Sequence, residues 1–146
     1  MKSLANKLNV FCWVILPFII CISFESRASD SFNLGDLSEA LQAGKNVVVI
    51  VNSSRCNNAN SGGTTPESIS GLRINSFKII KNDKLLFSDM HQGISAKGNA
   101  TFEYIRYTYS ANKELKLHIE ILETGEVKRI VDLTCAVPGG ARFVWQ

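Results

Sequence analysis

Beyond Gly71, apolar and polar positions alternate in short stretches separated by polar turns. The stretches run Leu72 to Ile80, Leu85 to Ile94, Thr101 to Tyr109, Leu115 to Leu122 and Val127 to Val137, with a short end at Phe143 to Trp145. Between them lie Asn82-Asp83-Lys84, Lys97-Gly98-Asn99, Ala111-Asn112-Lys113 and Thr124-Gly125, residue types that favour tight turns. Strands at this spacing predict an antiparallel meander, not alternating βαβ units. The clearest period of two sets Leu115, Leu117, Ile119 and Ile121 inward against Lys116, His118 and Glu120 outward, so His118 is expected in solvent.

Upstream, Leu37, Ala40 and Leu41 form one apolar stripe of a helix predicted over 36–43, with Asp36 as its cap, Glu39 completing a capping box and Gly44 ending it. The β-branched run Val47 to Val51 is too short for a buried helix and apolar on both faces, which predicts a central strand. From Asn52 to Ser70 the chain turns to Asn, Ser, Gly and Thr, a long loop around Cys56. The expected fold is mainly β (α+β): a meander of six or seven strands, curved or closed into a small barrel, with one short N-terminal helix.

The first residues do not fit that domain. Lys2 and Lys7 precede an apolar run from Val10 to Ile22, broken by Pro17, and Ser26-Arg27-Ala28 offers small residues where a signal peptidase reads. The run is shorter than the roughly 20 apolar residues of a membrane span. The expectation is a signal peptide over 1–28, a single domain over 29–146, and a periplasmic or secreted product that meets the membrane only through its uncleaved leader. The whole chain carries +3, and loss of Lys2, Lys7, Glu25 and Arg27 leaves +1. That balance gives no basic footprint for nucleic acid.

Removal of Cys12 and Cys21 with the leader leaves Cys56 and Cys135, which in an exported protein are expected to pair. The other readings are a catalytic thiol and a metal site. A metal site is poorly supplied, with no CxxC and two histidines in the whole chain, and no cofactor is expected.

Candidate chemistry is sparse. In Phe87-Ser88-Asp89-Met90-His91, positions 87, 89 and 91 share one strand face, so Asp89 and His91 can share a hydrogen bond. Such a pair orients an imidazole for general-base work, but no GxSxG elbow or other nucleophile motif accompanies it. A structural polar pair at the end of a barrel is the reading preferred over a catalytic one. Ser110-Ala111-Asn112-Lys113 has SxxK spacing but falls on a predicted turn instead of opening a helix. Phe102, Tyr104, Tyr107 and Tyr109 are read as strand-forming core residues. Ser61-Gly62-Gly63 and Pro138-Gly139-Gly140 lack the lysine and helix of a phosphate cradle and read as turns.

Several short segments together resemble the VirK protein family of exported bacterial proteins. They are Ala40-Leu41 to Gly44, Ser53-Ser54-Arg55-Cys56 after the Val-rich strand, Gly71-Leu72-Arg73-Ile74, Leu86-Phe87-Ser88-Asp89 to His91, and Tyr104-Ile105-Arg106-Tyr107, with Cys135 to Gly140-Ala141-Arg142-Phe143 at the end. The strand ends in Asn52 where an aspartate is expected, so no role for an acid is carried over there. The resemblance implies a small exported protein linked by name to virulence, without an agreed enzymatic activity. The expected function is a non-enzymatic binding or virulence-associated accessory factor for an unknown protein or small ligand. The alternatives are a small hydrolase using Asp89 and His91, and a barrel carrying a small apolar ligand.

Overall fold

Helix α1 spans Leu34–Gln42 in the computed structural model, which describes residues 33–59, 67–81 and 83–145. Its cap is Asn33, not Asp36: the Asn33 backbone is extended and its Oδ1 accepts the Asp36 amide at 2.9 Å. Asp36 lies instead inside the first turn, where its carboxylate faces the positive end of the helix dipole. At the other end the Gly44 amide donates to the Leu41 carbonyl and the Lys45 amide to that of Ala40, each at 3.0 Å, with Gly44 at φ 72°. That paired closure needs a left-handed residue, which glycine adopts without a Cβ penalty. Leu34, Leu37 and Leu41 recur at helical spacing and are buried.

The strand Val47–Asn52 (β1) is central, as its composition predicts. It pairs antiparallel with Ile69–Arg73 (β3) on one side and Ala141–Trp145 (β9) on the other. Between β1 and β3 lie a 3-10 turn over Ser53–Arg55 and the two-residue strand Asn57–Asn58 (β2). The second sheet takes Phe77–Ile80 (β4), Lys84–Ile94 (β5), Ala100–Ser110 (β6), Glu114–Glu123 (β7) and Glu126–Ala136 (β8). Its order is β2-β8-β7-β6-β5-β4, a meander with β2 added at one edge.

Two expectations are corrected here. The stretch Leu72 to Ile80 is two strands in different sheets, because Ile74 turns inward, is buried, and donates its amide to the Val47 carbonyl at 2.9 Å. The strands do not close into a barrel. With both sides of β1 taken by β3 and β9, the meander has no strand left to close on, and β2 and β4 stay edges. A carrier with a barrel lumen falls with it, since the space between the sheets is filled. Leu85, Tyr109, Leu115 and Cys135 stand opposite one another across β5 to β8, and all are fully buried. Phe87, Tyr107, Leu117 and Leu133 form the next row, with the Phe87 and Tyr107 rings stacked at 4.6 Å.

Cys56 and Cys135 form a disulfide with α-carbons 4.4 Å apart, tying the segment that follows β1 to β8. The predicted leader, with Cys12 and Cys21, lies outside the described residues, as do the Ser61-Gly62-Gly63 turn and Asn82. Among the described residues no helix is long and apolar enough to cross a membrane.

Candidate functional site

The long strands β5 to β8 outrun the three-stranded sheet, and this mismatch decides what Asp89 and His91 become. On the inner face, the rows described above are followed by Asp89, Ile105, Ile119 and Val131, then by His91, Glu103, Ile121 and Arg129. Burial fades along this series. The Asp89 side chain is 26% exposed and that of His91 51%. The two residues do share the Phe87 face and do bond, His91 Nε2 to Asp89 Oδ2 at 2.7 Å, but at the open mouth between the sheets instead of inside a core. The other ring nitrogen, Nδ1, lies 3.9 Å from Glu103 Oε2. Among the described residues the ring thus meets carboxylates, and neither nitrogen bonds to a hydroxyl or thiol that it could deprotonate. Burial first, and the Asp89 carboxylate second, push the neighbouring Tyr107 phenol up to about 12.

A second histidine, which the sequence assigns to solvent, is more constrained. On the outer face of the same sheet Ser88, Arg106, His118 and Asp132 stand in one row across four strands. His118 Nδ1 meets Asp132 Oδ1 at 2.6 Å and Nε2 meets Glu120 Oε1 at 3.0 Å, while Arg106 Nη2 donates to that same Glu120 oxygen at 2.7 Å. The hydrogen bond to Asp132, then that to Glu120, raise the His118 pKa above the usual imidazole value, against desolvation and the Arg106 charge. Carboxylates at both nitrogens favour the imidazolium form of this ring over the neutral one. Alternation along β7 correctly predicts its outward direction and sets Glu120 on the same face, whereas Asp132, fourteen residues away, meets it only through the β7-β8 register.

This geometry carries a pH prediction. The folded-state pKa is raised, so the His118 contribution is present in full below the unfolded value of about 6.5 and is lost as pH rises through the folded one. Half-exposed ion pairs are worth about 0.2 to 1 kcal/mol. His118→Gln is therefore expected to lower the melting temperature by a few degrees at about pH 5.5 and by less at about pH 8.5. A shift independent of pH refutes the imidazolium assignment.

Beside this charged row the outer face carries exposed apolar side chains among polar ones. Met90 stands opposite Tyr104, Tyr104 opposite Glu120 and Glu120 opposite Ile130; the next row holds Phe102, Leu122 and Val127. Met90, Tyr104, Val127 and Ile130 are all exposed. The four aromatics expected in the core thus divide by parity: Tyr107 and Tyr109 are buried, whereas Tyr104 faces out and Phe102 is half-buried. Among the described residues, no three His, Cys, Asp or Glu side chains are grouped to hold a metal ion. Ser110 to Lys113 forms the β6-β7 turn, with the Lys113 amide on the Ser110 carbonyl at 3.0 Å, and opens no helix.

Comparison with known proteins agrees with this architecture. The sequence profile of the VirK protein family matches residues 31–127. The chain belongs to the VirK family. The match runs from α1 into the start of β8, so Cys135 and Gly140 to Phe143, which also carry the resemblance, lie beyond it. A protein encoded in the pinF2 3′ region of Rhizobium radiobacter is 36% identical over 90 residues, 60% of this chain and 62% of that protein. The y4wH protein of Sinorhizobium fredii is 29% identical over 92 residues, 61% of this chain and 63% of that protein. The chain thus spans somewhat over three fifths of the length of these relatives. The crystal structure of a VirK family protein from Legionella pneumophila superposes with a TM-score of 0.68 at 16% identity, over 76% of this chain and 94% of that one. That likeness concerns the fold alone.

Proposed function

We propose that this VirK chain is an exported, non-enzymatic accessory protein that binds another protein through the outer face of β5 to β8. One observation carries the reading: a charged cluster pinned side chain to side chain, Arg106-Glu120-His118-Asp132, reaches into the row of exposed Met90, Tyr104 and Ile130. Exposed apolar groups beside ordered charges of both signs suit a protein surface, whereas nucleic acid or an anionic membrane would need one sign to dominate. Export is supported by the leader-like composition of residues 1–28 and by the Cys56–Cys135 pair, since disulfides persist in oxidising compartments.

A photoreactive residue placed at Ile130 in the producing cell is expected to give one defined protein adduct, absent when the same residue replaces Lys78 at the β4 edge. Glu120→Ala should weaken that adduct while the fold persists, and the mature protein should begin at Ser29. Equal or absent adducts at both positions refute the docking face. The hydrolase alternative draws on the 2.7 Å Asp89–His91 bond. It replaces this reading if His91→Ala abolishes an ester or peptide hydrolysis at unchanged melting temperature.

A further inference from the structure

The three-stranded sheet also has an outer face, and its charge is one-sided. Pairing sets Gly71 beside Ile50 and Ile50 beside Arg142 in one row, Arg73 beside Val48 and Val48 beside Val144 in the next, and Ile69 beside Asn52 in the last. No outward position of β1, β3 or β9 carries an aspartate or glutamate. At the end where β1 enters the 3-10 turn, a pocket of about 320 Å³ is lined by Ile50, Asn52, Arg55, Ile69, Gly140 and Arg142 among others. Unlike Arg106, which pairs with Glu120, neither Arg55 nor Arg142 has a carboxylate within ion-pair distance among the described residues. Asn52 Oδ1 is already used, accepting from the Ser54 amide at 3.2 Å and the Ser54 hydroxyl at 2.6 Å, which leaves the Asn52 amide group as a further donor.

The pocket is also held in shape. The Asn52 backbone amide donates to the Gly140 carbonyl at 2.8 Å, and Gly140 sits so close to Arg55 and the disulfide that a Cβ there would meet the Arg55 carbonyl oxygen at 2.8 Å and Cys56 Sγ at 2.9 Å. The β8-β9 turn is therefore pressed against the Arg55-Cys56 segment, and the disulfide covalently fixes that segment to β8. Arg55 and Arg142, both exposed, line this same pocket, and an anion lying between two like charges relieves their repulsion. Guanidinium also matches the planar oxygens of carboxylate and phosphate with paired hydrogen bonds. Ile50 beneath, and Ile69 at 74% exposure, offer apolar contact beside the charge.

We propose that Arg55, Arg142 and Asn52 form a binding site for an oxyanion, carboxylate or phosphate monoester, carried on a short apolar group. This site is separate from the β5 to β8 face and stands or falls without it.

The test is calorimetric titration of the purified, disulfide-intact protein with hexanoate, hexyl phosphate and hexanol. Saturable binding of hexanoate or hexyl phosphate, whichever is tighter naming the source, and none of hexanol, is expected. Arg55→Gln and Arg142→Gln should each weaken it at least about tenfold, the loss of a charge-assisted pair of hydrogen bonds. Asn52→Asp should weaken it too, because the new carboxylate keeps the acceptor that Ser54 uses while occupying the guanidinium groups internally. Lys78→Gln, at the β4 edge of the other sheet, should leave it unchanged. Failure of both anions to bind, equal binding of hexanol, or an equal loss in Lys78→Gln overturns the proposal.

Discussion

Replacement of Cys56 and Cys135 by alanine is expected to cost about 4 kcal/mol of stability. The two residues are 79 apart in sequence, and a cross-link closing a loop of that length removes a comparable amount of chain entropy from the unfolded state. Cys135 is also fully buried in the row with Leu85, Tyr109 and Leu115, so its loss removes packing as well as the link. For a domain of this size the melting temperature should fall by on the order of 15 °C in the reduced parent, and by at least as much in the double variant, which also loses the packing of Cys135. A fall of only a few degrees in both would mean that the sheets are held by packing alone.

Gly140→Ala is expected to cost about 2 to 3 kcal/mol, at the upper end of what overpacking a tight site does. An added Cβ would stand 2.8 Å from the Arg55 carbonyl oxygen, 2.9 Å from Cys56 Sγ and 3.1 Å from Cys135 Cβ. None of these is the free end of a flexible side chain: one is backbone and two belong to the disulfide. The Asn52 amide bond to the Gly140 carbonyl resists a shift of the turn away from the clash. The cost should shrink when Gly140→Ala is made in the Cys56→Ala, Cys135→Ala background, because Sγ is then absent and the segment is no longer tethered. A thermodynamic cycle over the two changes measures that coupling, and additive effects would show that the glycine answers to the carbonyl alone.

The local order of this protein was legible in its sequence because local order has local causes. Period-two alternation and polar turns located β5 to β8 to within a residue or so at most ends, Gly44 marked the end of the helix, and the Val-rich run announced a central strand. Two cysteines beyond a leader-like start pointed to the bridge that forms. The Asn33 cap was missed because Asp36, an equally good capping type, stood nearer the apolar stripe.

What the tertiary structure decided is which surfaces face each other, and that depends on lengths and registers that no single segment contains. Alternation placed Asp89 and His91 on the inner face, yet only the short reach of β1, β3 and β9 left that end of the face uncovered. Alternation sent His118 outward, yet only the β7-β8 register set Asp132 against it. Arg55 and Arg142 lie far apart in sequence and share a pocket because β9 pairs with β1 and the disulfide presses the turn between them. A side chain's direction is fixed by its own strand, whereas its burial and its partners are fixed by the strands that arrive beside it.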